Sequence, residues 1–291
     1  MTGVQTCALP ISVVDHIYDP GASVYPVIDA LNEGRSFVNY TGHGSTTSWT
    51  TTNFGTYHIN NLTNDNELPF VVSVGCVNGN FTGTTVSFAE TWLRATNAGV
   101  ATGAIATYMS SINQSWAPPM EAQDEIVDLL IAKEKTTIGG LCFNGSVKMM
   151  NEYGTAGVDM FNTWHIFGDP SVLMWSDTPS PLNVYHNSSI LFNQTEFNLE
   201  VVGEVGALCA LYANEVLYGS ADADINGLAA IAIGQEFPAG GTVTLTVTAF
   251  NGLPYIVDLA VTSSSGALVA YDLNSVNDIS GNNDGLADAG E

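Results

Sequence analysis

Pro69-Phe-Val-Val-Ser-Val-Gly-Cys76 is the stretch that decides the fold. Proline can open a strand but cannot sit inside a ladder, and the run that follows is apolar without the alternation of a half-buried strand. It therefore reads as a parallel strand covered on both faces, ending at Cys76. Working outward, Val24 to Leu31 reads as a short helix stopped at Gly34, and Arg35-Ser-Phe-Val-Asn-Tyr40 as a second strand that ends at Thr41-Gly-His-Gly44. Downstream, Val86 to Asn97 has helical spacing with Gly99 placed as a C-cap, and Val100 to Met109 is another apolar strand. Ala117 to Lys133 opens with two prolines and continues as an amphipathic helix, and Thr136 to Tyr153 is a further helix. Strand and helix in alternation predict an α/β domain built on a parallel sheet flanked by helices.

The character changes after Trp175. Ser176-Asp-Thr-Pro-Ser-Pro181 reads as a linker, and runs such as Glu196 to Val202, Ala207 to Ala213 and Gly241 to Phe250 follow at short intervals with no helical spacing between them. This predicts an all-β sandwich of the immunoglobulin-like kind over residues 179–262, after an α/β domain over 12–178. Ser263-Ser-Ser-Gly266 is a second linker, and 263–291 reads as the start of a module that the chain end cuts off.

Composition narrows the function. The chain has 291 residues, 45% hydrophobic and only 12% charged, so a sizeable core is expected and the disordered class does not fit. Its formal net charge is −24, and all five bases (Arg35, Arg94, Lys133, Lys135, Lys148) precede residue 149. With no basic patch to oppose that charge, nucleic acid is excluded as a partner. No apolar run reaches the 18 or so residues of a membrane span. Neutral polar residues in place of lysine match secreted or salt-exposed proteins, so the expected location is secreted or cell-surface, without a signal peptide in this stretch. Four widely spaced cysteines (Cys7, Cys76, Cys142, Cys209) with no CxxC suggest neither a disulfide framework nor a zinc site.

Met1-Thr-Gly-Val-Gln-Thr-Cys-Ala-Leu-Pro-Ile11 has neither the basic nor the apolar region of a signal peptide. It is what a widely used short-read sequencing adapter encodes when GTG is read as the start. Residues 1–11 are accordingly set aside from the fold, and the α/β domain is expected to be truncated at its N-terminus.

His43 and Cys76 both fall just past the carboxyl ends of strands, where open parallel sheets bind their ligands. Glycines on both sides of His43 leave room for a substrate backbone, and the N–H groups of Gly44 and Cys76 are candidate oxyanion donors. An imidazole beside a thiol stabilises the thiolate, which is the reactive form. The residues alone also allow a small buried cysteine next to a glycine-rich turn.

Four segments then carry a resemblance. Tyr40-Thr-Gly-His-Gly-Ser45, Val74-Gly-Cys-Val-Asn-Gly-Asn-Phe81, Ser111-Ile-Asn-Gln-Ser-Trp-Ala-Pro-Pro-Met120 and Thr163-Trp-His-Ile-Phe-Gly-Asp-Pro-Ser171 resemble, in order, the signature segments of the gingipain family of cysteine peptidases. The resemblance covers about residues 30–262 and implies a caspase-like catalytic domain followed by an immunoglobulin-like one. It implies a thiol endopeptidase acting on proteins or peptides: Cys76 attacks the scissile carbonyl, His43 protonates the leaving amine, and water releases the acyl group. Gln114 and Trp116 would line the pocket for the side chain before the cleaved bond, with Met120 at its edge. The acids that orient the histidine and pair with a basic substrate side chain lie upstream of the Gly-His-Gly segment in that family, so specificity for Arg or Lys is left open. The rival readings are a non-catalytic surface or adhesion protein on a peptidase-like scaffold, and a sorting-type transpeptidase of the same family.

The chemistry requires no cofactor. A structural Ca²⁺ is suggested by Asp278, Asn282, Asp284, Asp288 and Glu291, hard oxygen ligands closely spaced among glycines, with an acidic solvated linker as the alternative. Gathering these like charges costs repulsion unless the loop is anchored on both sides. The expected outcome is that added Ca²⁺ raises the melting temperature only of a chain extended past Glu291. Thermal unfolding of both lengths with Ca²⁺ and with chelator checks this, and an equal shift in the two, or none in either, rejects the site.

Overall fold

A computed structural model describes the backbone of residues 3–7 and residues 13–83, 85–238 and 240–262, and divides them into two compact units. The first lies within residues 1–182 together with 248–254. Its elements are β1 (Gly3–Cys7), β2 (Val14–Tyr18), α1 (Val24–Asn32), β3 (Phe37–Thr41), a small hairpin β4 (Gly44–Ser45) and β5 (Ser48–Trp49), and α2 (Thr56–Ile59). They continue with β6 (Phe70–Val74), α3 (Phe88–Arg94), a second hairpin β7 (Thr96–Asn97) and β8 (Val100–Ala101), β9 (Ala106–Ser110), α4 (Ala117–Ile131), α5 (Ile138–Tyr153), α6 (Thr155–Phe161) and β10 (Trp164–Phe167).

Six strands form one sheet in the order β10-β9-β6-β3-β1-β2. The middle three, β3, β6 and β9, are parallel, with Phe37 opposite Phe70 and Phe70 opposite Ala106. Every residue of β6 and β9 is buried, as the apolar runs require. Successive side chains serve opposite faces. Phe37, Phe70, Val72, Val74, Ala106 and Tyr108 pack with α4 and α5, whereas Val38, Tyr40, Val71 and Met109 pack with α1, α3 and the aromatic group Trp49, Phe54 and Trp92. The expected α/β layering is thus present, and the site loops lie at one edge of it.

The structure differs from the sequence reading in several places. The sheet is mixed: β10 runs antiparallel to β9, and β1 runs antiparallel to both its neighbours. Gly3–Cys7 is part of that sheet although residues 1–11 were set aside. A strand edge such as that of β3 offers backbone donors and acceptors that pair with little regard to side chain. Helix α3 stops at Arg94 rather than Asn97, because Ala95 is extended and the chain turns back at Ala98 and Gly99, both at positive φ (49° and 87°). Gly99 therefore serves a two-residue hairpin and not a helix cap. Asp169-Pro-Ser171 is a turn after β10 in which the Asp169 carboxylate accepts from Ser171 N–H (2.8 Å) and Oγ (2.7 Å).

The short pair β11 (Ser180–Pro181) and β19 (Gly252–Leu253) completes the first unit, where Asn251 Oδ1 accepts from the N–H of Ser176 at 2.7 Å. The second unit, within residues 183–247 and 255–262, carries β12 (Val184–His186), β13 (Ser189–Leu191), β14 (Glu196–Val201), β15 (Leu208–Ala213), β16 (Val216–Asp222), β17 (Leu228–Ala232), β18 (Thr242–Thr248) and β20 (Tyr255–Thr262). They form a three-stranded sheet, β12-β14-β17, and a five-stranded sheet, β13-β20-β18-β15-β16. Alternate residues are buried along β14, β15, β17 and β18, including Phe197, Leu211, Ile231 and Leu245, which is the pattern of sheets with one covered face. The boundary falls at Leu182 rather than residue 178, with 248–254 returning to the first unit. Residues 263–291, and the five candidate calcium ligands with them, lie outside the described residues.

Helices α4 and α5 cross where Gly145 meets α4 backbone: a Cβ there would lie 2.7 Å from Ala122 O and 2.8 Å from Ile126 Cγ1. Gly145→Ala gains about 1 kcal/mol of helix propensity, but forcing a methyl against a carbonyl costs about 1–3 kcal/mol of overpacking. Overpacking wins. The melting temperature of Gly145→Ala is expected below that of the native chain, and a rise would show that the helices part without cost.

Candidate active site

Strand β3 delivers His43 to the carboxyl edge of the sheet. Gly42 N–H still bonds Val74 O at 3.1 Å, continuing the β3–β6 pairing, and the chain then leaves the sheet at His43. The His43 carbonyl accepts from Tyr40 Oη (2.7 Å) and from Thr50 N–H (2.8 Å), which fixes the backbone under an exposed imidazole. Tyr40 is itself buried and stacked on Trp49 with ring centroids 4.5 Å apart. Burial raises its pKa, so the phenol stays protonated and remains a donor.

Strand β6 delivers Cys76, half-buried, one residue past Gly75. Its Sγ lies 3.8 Å from the Gln114 carbonyl. Val77, immediately after, has φ 53°, a left-handed conformation that a β-branched residue adopts only under constraint. That reversal turns the chain beside the end of β9, where Val77 N–H bonds Ile112 O (3.0 Å) and Gly79 N–H bonds Ser110 O (2.8 Å). The two arms touch: a Cβ at Gly44 would lie 2.8 Å from Cys76 O, so only glycine fits between the histidine and the cysteine turn.

The segment after β9 closes the third side. The His43 and Trp116 rings meet edge to face at 5.3 Å, and Trp116 is 43% exposed, so it is a surface aromatic and not part of the core. Met120, one turn into α4, is also exposed, and its N–H bonds Trp116 O at 3.2 Å. Gln114 Nε2 is buried without a hydrogen-bond partner, an amide donor unused by the protein. Gln123 ties α4 down, its Nε2 donating to Tyr40 O (2.9 Å) and its Oε1 accepting from Thr41 Oγ1 (2.7 Å). The structure thus gathers His43, Gly44, Cys76, Gln114, Trp116 and Met120 at one sheet edge. Sequence reasoning missed Tyr40, Val77 and Asn78. Asn78 was visible only as part of a quoted segment, yet it is wholly buried between the two arms.

Other histidines and cysteines take structural places. His58 Nδ1 accepts from Gly55 N–H (3.0 Å) and stacks on Phe54, His165 Nε2 pairs with Ser111 Oγ (3.1 Å), and His186 lies between Asn187 O and Tyr255 Oη. Burial pushes the pKa of His165 down. It pushes the Cys142 thiol well up and Cys209 up to about 11, so both are kept as inert thiols while Cys76 is partly open. Among the described residues no group of three or more His, Cys, Asp or Glu is arranged to hold a metal ion, and no helix is long and apolar enough to cross a membrane.

Glu90 caps α3. Its carboxylate accepts from Ser87 N–H (2.8 Å) and Ser87 Oγ (2.7 Å), and Ser87 Oγ accepts from Glu90 N–H (3.3 Å). The Ser87 backbone bond, then its hydroxyl, hold the Glu90 pKa below its ordinary 4.5. A carboxylate depressed in this way stabilises the fold above its unfolded pKa and loses that contribution as pH falls through the folded one. Glu90→Gln is therefore expected to lower the melting temperature at pH 7 and to converge with the native chain only as the pH falls through the depressed folded-state pKa of Glu90. A gap that persists in acid would assign the loss to packing.

The model of peptidase family C25 matches residues 10–175, more than half of the chain. Gingipain R2 of Porphyromonas gingivalis is 41% identical over 260 residues, 88% of this chain and 35% of that protein. Gingipain R1 of the same organism is 43% identical over 239 residues, 80% of this chain and 24% of that protein. A Lys-gingipain of P. gingivalis is 24% identical over 250 residues. The crystal structure of the Arg specific cysteine proteinase gingipain R superposes with a TM-score of 0.79 at 39% identity, covering 84% of this chain and 57% of that one. The chain spans about a quarter to a third of the length of the gingipain R relatives.

Proposed function

Because the chain belongs to peptidase family C25, we propose that it carries the machinery of a cysteine endopeptidase, with Cys76 as nucleophile and His43 as its proton partner. The observation that carries this is the contact of Gly44 with the Cys76 carbonyl, which brings an exposed histidine and the one open described thiol to the same sheet edge. The Cys76 thiolate forms a bond to the scissile carbonyl carbon, the carbonyl π electrons move to oxygen, and the N–H groups of Gly44 and Cys76 hold that oxyanion. Collapse expels the amine, which takes its proton from His43, and leaves a thioester. Water then gives a proton to His43 and its oxygen to the acyl carbon, and the carbon–sulfur bond breaks, releasing the carboxylic acid and restoring the Cys76 thiolate.

Substrates are proteins or peptides. Gln114, Trp116 and Met120 line the pocket for the side chain before the cleaved bond: Trp116 and Met120 offer apolar walls to its aliphatic stem, and the unpartnered Gln114 N–H, which cannot pair with a donor-only guanidinium, is left to a substrate carbonyl. Arginine is the side chain we assign there. Identity to the gingipain R proteins is 41–43% against 24% for a Lys-gingipain, and a chain of net charge −24 favours cationic peptides. The second unit is read as an immunoglobulin-like sandwich, the protein as secreted or cell-surface, and the segment beyond residue 262 as a candidate structural calcium site.

Two measurements on the full-length gene product test this. Cys76→Ala is expected to abolish turnover of Arg-containing peptides by at least about 10³-fold while substrate still binds. Iodoacetamide is expected to label Cys76 ahead of Cys142 and Cys209. Labelling confined to those two, with no turnover by the native protein, would leave the adhesion-protein reading in its place, and full activity in Cys76→Ala would reject Cys76 as the nucleophile.

A further inference from the structure

One buried amide links the two arms of the candidate site. Asn78 is 0% exposed and lies two residues after Cys76. Its Nδ2 donates to Ser45 O at 2.7 Å and to Ser48 O at 3.2 Å, the two ends of the hairpin that follows His43. Its Oδ1 accepts from Ser73 Oγ at 2.8 Å, on β6, and Ser73 Oγ in turn accepts from Trp49 Nε1 at 3.0 Å. The Asn78 carbonyl also takes Ala89 N–H, at 3.0 Å, from the first turn of α3.

The donors and acceptors in this chain have one consistent direction. Trp49 N–H can only donate, so the Ser73 hydroxyl accepts it and spends its single proton on Asn78 Oδ1. The amide nitrogen is then left facing two carbonyls that can only accept. Reversing the amide would set its oxygen against both carbonyls in a dry site. The side chain needed here has an acceptor at one corner and two donors at the other. Aspartate would keep the first contact but bring a buried charge and an oxygen onto two oxygens.

We propose that Asn78 is a positioning residue for catalysis, holding the Cys76 turn and the His43 hairpin at their working separation; this rests on the reading of Cys76 and His43 as the catalytic pair. The amide contacts neither sulfur nor substrate in this role. It acts on the distance between two groups that sit on separate loops and share no side-chain hydrogen bond of their own to fix it. The strain at Val77 makes such a clamp necessary, because a turn held at φ 53° relaxes when its anchor is removed.

The test compares Asn78→Ala with Ser73→Ala in the full-length gene product. Both variants disrupt the same buried network and lose stability, but Ser73→Ala keeps the two bonds from the amide to the hairpin carbonyls. A misplacement of about 1 Å costs up to roughly 100-fold, so Asn78→Ala is expected to lower kcat by about 10- to 100-fold with KM changed less than about threefold. The rate of Cys76 alkylation by iodoacetamide should fall about tenfold in parallel, because an imidazole held beside a thiol promotes its reaction. Ser73→Ala should keep both rates within about threefold despite a comparable drop in melting temperature. If Asn78→Ala does not fold, Asn78→Ser, which retains one hydroxyl donor for a hairpin carbonyl, is compared in its place.

The proposal is overturned if the Asn78 variant keeps kcat and alkylation rate, or if both variants lose activity in step with melting temperature. A different result marks failure of the underlying reading: native Cys76 alkylated no faster than an ordinary thiol, with turnover surviving Cys76→Ala. That outcome removes the catalytic pair and the clamp together.

Discussion

The constraint on which the first unit depends is that β6 is buried on both faces and paired on both edges. A strand in that position exposes nothing along its length, so its chemistry is confined to its end. With parallel neighbours β3 and β9 on either side, three carboxyl ends emerge together. One brings His43, the next Cys76, and the third Gln114 and Trp116. The site is a consequence of topology before it is a consequence of the individual residues. Trp49 shows the same economy: buried among Phe54, Phe88 and Trp92, it fills the core on one side of the sheet, and its indole N–H begins the hydrogen-bond chain that ends at the His43 hairpin.

What the sequence revealed, and what it hid, follows from the range of the interactions involved. The strands at Phe70 and Ala106 and the helices at Ala117 and Ile138 are stated locally, by apolar runs and by prolines at a helix start. So are His43 and Cys76, because strand ends can be located from the runs that precede them. Strand β10 is short and only its first residue is buried, which gives no alternation to read. The hairpin at 96–101 hid inside a helical pattern because Ala98 adopts a left-handed turn on the strength of its surroundings, not its type. Asn78 was illegible for another reason. Its partners Ser45, Ser48 and Ser73 reach it from other strands, and a buried asparagine has no periodic signature.

The two units also solve burial in different ways. In the first, helices cover both faces of the sheet, so its strands can be continuously apolar. In the second, strands such as Thr242-Val-Thr-Leu-Thr-Val-Thr248 alternate, with Val243, Leu245 and Val247 inward and threonines outward. No lysine or arginine occurs there, so neutral hydroxyl side chains take over the solvated face. The acidic excess therefore goes unbalanced by any lysine or arginine along the second half of the chain.

Energetics at the Cys76 turn explain why a polar network occupies so dry a place. Holding Val77 in the left-handed region costs about 1–2 kcal/mol. Each satisfied internal hydrogen bond returns about 1 kcal/mol net, and leaving one of these buried partners unpaired costs about 1–3 kcal/mol. The two bonds from the Asn78 amide to the hairpin carbonyls are therefore of the right size to hold the turn, whereas apolar packing of the same volume would fill the space without selecting one backbone path. Directional bonds discriminate between the strained turn and its relaxed alternatives, because only the strained turn sets the amide opposite two carbonyls at once. The buried amide thus specifies geometry more than it adds stability, and it does so beside Cys76, which is partly open where Cys142 and Cys209 are buried.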